Sequence, residues 1–252
     1  MSITQLSLTQ EKLILEYLQE KTNDLFIASG SSRAVFEIDD TIQSLLGFKT
    51  PVSCVLKMSL GLGGYRQSRR EVATFEQLQS FGVLAEVFGR GSIFTVMEQV
   101  DTDERDFYEF YSYDCCVEDY LDRNAYSDDD DGEREYLRDC DVFEEAAYVI
   151  RVLDSELGDT SDNSQLGRTD DGRLVAYDYG FISGVYCRDQ MTRTSDYFSY
   201  GKKETNLFFE LLINTVEETL ALNGTSIGEA EFNDIEENYI DLIEGRDEEC
   251  CE

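Results

Sequence analysis

Apolar and polar positions follow two different periods along this chain, and each change of period marks an element. Leu13, Leu15, Tyr17 and Leu18 stand among polar residues at helical spacing, and Ser7-Leu8-Thr9-Gln10-Glu11 opens a helix that should run to about Glu20. At Leu25 the period shortens. Leu25-Phe26-Ile27-Ala28, a turn at Ser29-Gly30-Ser31-Ser32, and Arg33-Ala34-Val35-Phe36-Glu37-Ile38 predict a hairpin whose Gly/Ser turn brings backbone N–H groups close to a ligand. Residues 39–51 read as a loop, partly helical around 42–46. A third strand follows over residues 52–58, in which Lys57 alternates with Leu56 and Met58 and so faces away from them, to water or into a cleft. Gly61 to Gly64 predicts a flexible break before a helix over residues 68–78, with Val72, Phe75 and Leu78 on one face. Residues 84–88 and 92–96 predict a further hairpin around Gly89-Arg90-Gly91, leading into Met97-Glu98-Gln99-Val100-Asp101.

Past Asp101 the chain turns acidic and aromatic, with Phe107, Tyr108, Phe110, Tyr111, Tyr113 and Tyr120 among carboxylates. Residues 142–157 form a predicted helix that buries Val142, Ala146, Val149, Ile150 and Leu153. Asp170-Asp171-Gly172 is a tight turn between Gln165-Leu166 and the apolar run Leu174-Val175-Ala176-Tyr177, which delivers Asp178 onto Tyr179-Gly180. A carboxylate there fits an ordinary turn as well as a ligand site. After an irregular stretch at 181–200, a strong helix is predicted over 204–222 and a weaker one over 231–243, with a polar tail from Arg246.

Composition narrows the chemistry. With 41 % hydrophobic and 12 % aromatic residues, 252 residues suffice for a real core. No window approaches the roughly 18 apolar residues of a membrane span, and Met1-Ser2-Ile3-Thr4-Gln5 lacks the parts of a signal peptide, so a soluble cytoplasmic protein is expected. The net charge of −33 is uneven: residues 1–100 carry 9 Lys and Arg against 11 Asp and Glu, and residues 101–252 carry 12 against 43. Such a field repels phosphate backbones and acidic membranes and favours a partner with a basic surface. Histidine is absent, which removes Ser-His-Asp, Cys-His and metal-His chemistry and leaves carboxylates, lysine or tyrosine for acid–base work. Seven cysteines without a Cys-x-x-Cys read as reduced thiols, with no zinc site expected. Ser127-Asp128-Asp129-Asp130-Asp131-Gly132 resembles half a calcium loop, but counting from Gly132 puts Ser127 at the first ligand position and Arg138 at the twelfth, where carboxylates are needed. An EF-hand is rejected on that count.

Taken together, the Gly/Ser hairpin, Lys57, the helix with Glu71, Met97-Glu98-Gln99-Val100 and Asp178-Tyr179-Gly180 resemble, in order and spacing over roughly residues 25–185, the protein-kinase-like family. The run from Gln165 to Gly180 is similar to that of small, divergent kinase-like proteins of bacteriophages. The resemblance implies an α+β, two-lobed fold: an antiparallel-sheet N-lobe over 1–100 and a short, helical, acidic C-lobe over 101–252. It implies ATP and Mg²⁺ as cofactors and phosphotransfer as the activity, with a protein as a candidate target. By that resemblance Gly30, Ser31 and Ser32 cover the phosphates, Lys57 holds them, Glu71 pairs with Lys57, and Glu98 and Val100 in the hinge contact the nucleotide. Asp178 and Gln165 take the metal, Gln165 standing where the family's Asn does, 13 residues before Asp178.

The catalytic Asp of the family precedes that Asn by five residues, and five before Gln165 is Thr160. Asp159 and Asp162 are the available carboxylates, and a single-residue bulge would bring Asp159 to the required place. The other reading is a pseudokinase: a catalytically impaired, acidic binding or inhibitory protein for a basic or nucleic-acid-binding partner, itself binding no nucleic acid.

Overall fold

Ser7 closes a capping box at the head of α1 (Leu8–Leu25): the Gln10 backbone N–H donates to the Ser7 hydroxyl at 3.3 Å, and the Ser7 N–H donates to the Gln10 amide oxygen at 3.0 Å. The helix continues past its expected end near Glu20, because the inward stripe goes on through Thr22 and Leu25; the buried Thr22 hydroxyl donates back to the Leu18 carbonyl at 2.7 Å. The computed structural model describes residues 2–30, 32–101, 141–157, 165–177, 179 and 202–249. Expectations for Ser31, for residues 102–140 with the rejected calcium loop, for 158–164, and for 178 and 180–201 lie outside the described residues.

The molecule is α+β, and its chain separates into two compact units, Met1–Val72 with Val87–Glu98 and Cys187–Glu252, and Ala73–Glu86 with Gln99–Tyr186. The division therefore differs from a single cut at residue 100, since the C-terminal helices belong with the first residues of the chain.

The first unit holds a six-stranded mixed sheet. It comprises β1 (Thr4–Gln5), β2 (Phe26–Ser29), β3 (Arg33–Glu37), β4 (Cys54–Ser59), β5 (Val87–Arg90) and β6 (Phe94–Glu98), in the order β1-β5-β6-β4-β3-β2. All neighbours are antiparallel except the short β1, which pairs in parallel with β5 and was not foreshadowed by any apolar run. Alternation sends Ala34, Phe36, Leu56, Met58, Phe94 and Val96 to one face. These belong to one hydrophobic core with residues of α1, α2 (Asp40–Leu46), α5 (Lys202–Ala221) and α6 (Glu229–Glu249). Phe36 meets Phe209 at 5.9 Å between ring centroids, and Phe208 stacks on Tyr239 at 4.2 Å. The chain is helical to Glu249, where a polar tail was expected from Arg246.

The expected break at Gly61 to Gly64 is instead the first turn of α3 (Gly61–Leu78). A carboxylate from far along the sequence makes this start stable: Glu236, buried on α6, accepts the Leu62 N–H at 3.0 Å, satisfying an orphan donor and opposing the positive end of the helix. The glycines serve close approach rather than flexibility. Gly61 sits at φ +73°, and a Cβ on Gly64 would collide with the Ser32 carbonyl oxygen.

In the second unit β7 (Val100–Asp101), β8 (Gln165–Thr169) and β9 (Leu174–Tyr177) form an antiparallel sheet against which α4 (Asp141–Leu157) packs. The Asp170-Asp171-Gly172 hairpin forms as expected, with Gly172 at φ +86° and its N–H donating to the Thr169 carbonyl at 2.8 Å. Leu84 runs parallel to Ala176, the Ala176 N–H donating to Val83 at 2.8 Å and the Ala85 N–H to Ala176 at 2.9 Å.

Candidate functional site

Lys57 lies mid-strand in β4, opposite Val35 on one side and Thr95 on the other, on the sheet face away from Leu56 and Met58. Of the two directions the alternation left open, it takes the interior one: only 8 % of the residue is exposed. Its ammonium donates to Glu71 Oε1 at 3.0 Å, so the strand lysine and the helix glutamate form an ion pair. The carboxylate has a second cation that sequence reading missed, Arg33, whose guanidinium meets Oε2 at 2.5 Å. Arg33 and Val35 share one face of β3, and Val35 is the cross-strand neighbour of Lys57. Arg33 is thus a diagonal neighbour of Lys57 on that face, a relation that becomes visible only once the strand register is known.

Burial and charge oppose each other here. Burial pushes the Lys57 ammonium down to about 8, with the Glu71 charge opposing the fall and the Arg33 charge adding to it. Burial by itself raises the Glu71 carboxyl, but the charges of Arg33 and then Lys57 outweigh it and hold it below the usual carboxylate range. One turn before Glu71, Gln67 accepts from the Ser32 hydroxyl at 2.5 Å, both groups being buried. The Ser32 carbonyl in turn accepts from the Leu60 N–H at 2.8 Å. These bonds fix the end of the Gly/Ser turn onto the face of α3 that carries Glu71. Gly30 closes the hairpin, its N–H donating to the Arg33 carbonyl at 2.9 Å, and a Cβ there would meet open space.

Glu98 ends β6 and is buried, opposite Cys54, and Val100 is half-buried on β7, opposite Thr169. Gln165 begins β8 opposite Tyr177, with its side chain outside the described residues. Ser31, Asp159, Asp162 and Asp178 lie outside them entirely. Tyr179, which stands where the resembled family has phenylalanine, is fully buried and donates from its hydroxyl to the Ala85 carbonyl at 2.8 Å. Among the described residues no cluster of three His, Cys, Asp or Glu side chains gathers to hold a metal, and no helix is long and apolar enough to cross a membrane.

No protein-family model matches the chain, and no curated protein matches it significantly. Among solved structures it is similar to the choline kinase LicA from Streptococcus pneumoniae, at 10 % identity and a TM-score of 0.25, over 92 % of this chain and 99 % of that one.

Proposed function

We propose that the chain is a two-lobed, protein-kinase-like phosphotransferase that uses ATP and Mg²⁺. The observation that supports this reading is the buried Lys57–Glu71 pair at 3.0 Å, joining the strand and the helix that the motif order singles out. A lysine held by one carboxylate oxygen, while the other is held by Arg33, is fixed in place for a polyphosphate. In this role Lys57 neutralises and places the α- and β-phosphates, Glu71 positions Lys57, and backbone at Gly30, Ser31 and Ser32 covers the phosphates. Glu98 and Val100 border the nucleotide. Asp178 and Gln165 bring a carboxylate and an amide carbonyl, the hard oxygen donors that suit Mg²⁺, whose bound form supplies charge neutralisation between the phosphates. Asp159 accepts the proton of the acceptor hydroxyl.

A second reading, an impaired pseudokinase that binds a basic partner, is favoured by Thr160 at the position five residues before Gln165 and by the excess of acids over bases after residue 100. Transfer of labelled γ-phosphate separates the two. The phosphotransferase reading expects transfer by the wild type, none by Asp159→Asn with ATP binding intact, and weakened Mg²⁺-dependent binding in Asp178→Asn. Nucleotide binding without transfer by any form selects the second reading.

A further inference from the structure

Gly64, Gln67 and Glu71 recur along α3 at spacings of three and four residues and so share one face of the helix. All three meet the two consecutive residues that end the Gly/Ser turn. Gly64 admits the Ser32 carbonyl oxygen so closely that a Cβ would collide with it, Gln67 accepts from the Ser32 hydroxyl at 2.5 Å, and Glu71 takes the Arg33 guanidinium at 2.5 Å. Ser32, Arg33, Gln67 and Glu71 are buried, and these residues lie with Lys57 inside the first unit. Water therefore competes little for the bonds, and losing one leaves a polar group in a dry setting. The Lys57–Glu71 pair does not account for them. A strand lysine and a helix glutamate form an ion pair whether or not the turn is tied to the helix, so the contacts at Ser32 and Arg33 serve something else.

We propose that Arg33 and Gln67 are positioning residues: they fasten the turn to α3, so that the turn, Glu71 and Lys57 keep one fixed arrangement before any ligand arrives. Arg33 is the central one. Its carbonyl ends the turn, accepting the Gly30 N–H at 2.9 Å, while its guanidinium holds the carboxylate that also holds Lys57. A single residue thus joins the backbone proposed to cover the phosphates to the lysine proposed to hold them. A site assembled in advance binds more tightly than one whose loop the ligand must first order, because the ordering has already been met in folding. The effect on nucleotide binding rests on the phosphotransferase reading; the fastening of turn to helix does not.

Hydrogen exchange of the full chain, read by mass spectrometry over residues 26–34 with α1 as the internal reference, tests the fastening in Arg33→Met, Arg33→Lys and Ser32→Ala. Arg33→Met removes the charge and keeps an apolar stem, and Glu71 retains Lys57, so the variant folds, which its unchanged circular dichroism verifies. Exchange over 26–34 is expected to be about tenfold or more faster in Arg33→Met, with α1 unchanged. Arg33→Lys, which returns a cation to Glu71, should recover most of the lost protection, whereas a role in packing alone would be met by Arg33→Met as well. Ser32→Ala removes a hydroxyl and no charge, and is expected to speed exchange over the same residues several-fold. In calorimetric titration the dissociation constant for ATP with Mg²⁺ should rise about tenfold in Arg33→Met. Unchanged exchange over 26–34 in Arg33→Met and Ser32→Ala, equally faster exchange in α1, or an unchanged ATP affinity once the turn has opened would each overturn the proposal. A wild-type protein that binds no ATP while exchange responds as expected supports the fastening and removes the phosphotransferase reading instead.

Discussion

Glu71 is the residue on which the candidate site turns, because its two oxygens are divided between two buried cations, Lys57 and Arg33. Replacing it by Gln leaves those cations facing an amide in a low-dielectric setting, and a loss of about 3–5 kcal/mol in urea unfolding is expected. Glu11 is the second buried acid with a structural role: from α1 it accepts the backbone N–H groups of Ser92, Ile93 and Phe94, so it closes the β5–β6 turn. Burial pushes its carboxyl up to about 7, against the pull of those three donors. A carboxyl raised in the folded state binds a proton that the unfolded chain releases near 4.5, so its stabilising contribution is complete below that pH and disappears as the pH rises to 7. Unfolding measured from pH 5 to 7 should show the wild type losing stability relative to Glu11→Gln, by about 2 kcal/mol across the window. A constant difference between the two proteins would place the Glu11 titration elsewhere. Lys57 and Glu71 were legible in the sequence because their order among the other motif residues singled them out. Glu11 and Arg33 were not, since each acts on a partner brought to it only by the tertiary fold: Glu11 on a turn some 80 residues away and Arg33 on a helix carboxylate.

Among the elements, α3 shows where local reading succeeds and where it fails. Its second half was legible from Val72, Phe75 and Leu78, all buried. Its first turn was not, because three glycines within four residues argue for a break, and what overrides them is the Glu236 carboxylate at Leu62 together with the lack of space beside Gly64. Gly64→Ala is therefore expected to destabilise the protein by about 3 kcal/mol in chemical denaturation, although alanine has the higher helix propensity. Stabilisation by this substitution would return the segment to the flexible break that its sequence suggests. The hairpins fared better. Gly172 supplies the positive φ of its turn, and the two flanking strands pair in unbroken register from Gln165–Tyr177 to Arg168–Leu174, so local chemistry and tertiary structure agree.

At the scale of the whole molecule, the α+β class and nearly all the elements of the described residues follow from periodicity, but the grouping of those elements does not. The C-terminal helices belong to the unit of the first strands because α5 packs on α1 and its Phe209 meets Phe36 of the sheet, a pairing of apolar faces that no local pattern announces. The charge is divided along the sequence rather than by unit: nearly all the acidic excess follows residue 100, while the buried Arg33–Glu71–Lys57 group and the arginines of α3 precede it. A protein of net charge −33 repels a nucleotide triphosphate from most directions, so binding of ATP requires a built cationic site, and Lys57 is its proposed centre. Calorimetric titration of the purified chain with ATP, with and without Mg²⁺, in the wild type and in Lys57→Met tests this most directly. Saturable, Mg²⁺-dependent binding by the wild type, weakened at least about tenfold in Lys57→Met, is the predicted result; no binding by a folded wild-type protein, or equal binding by the two, would contradict it.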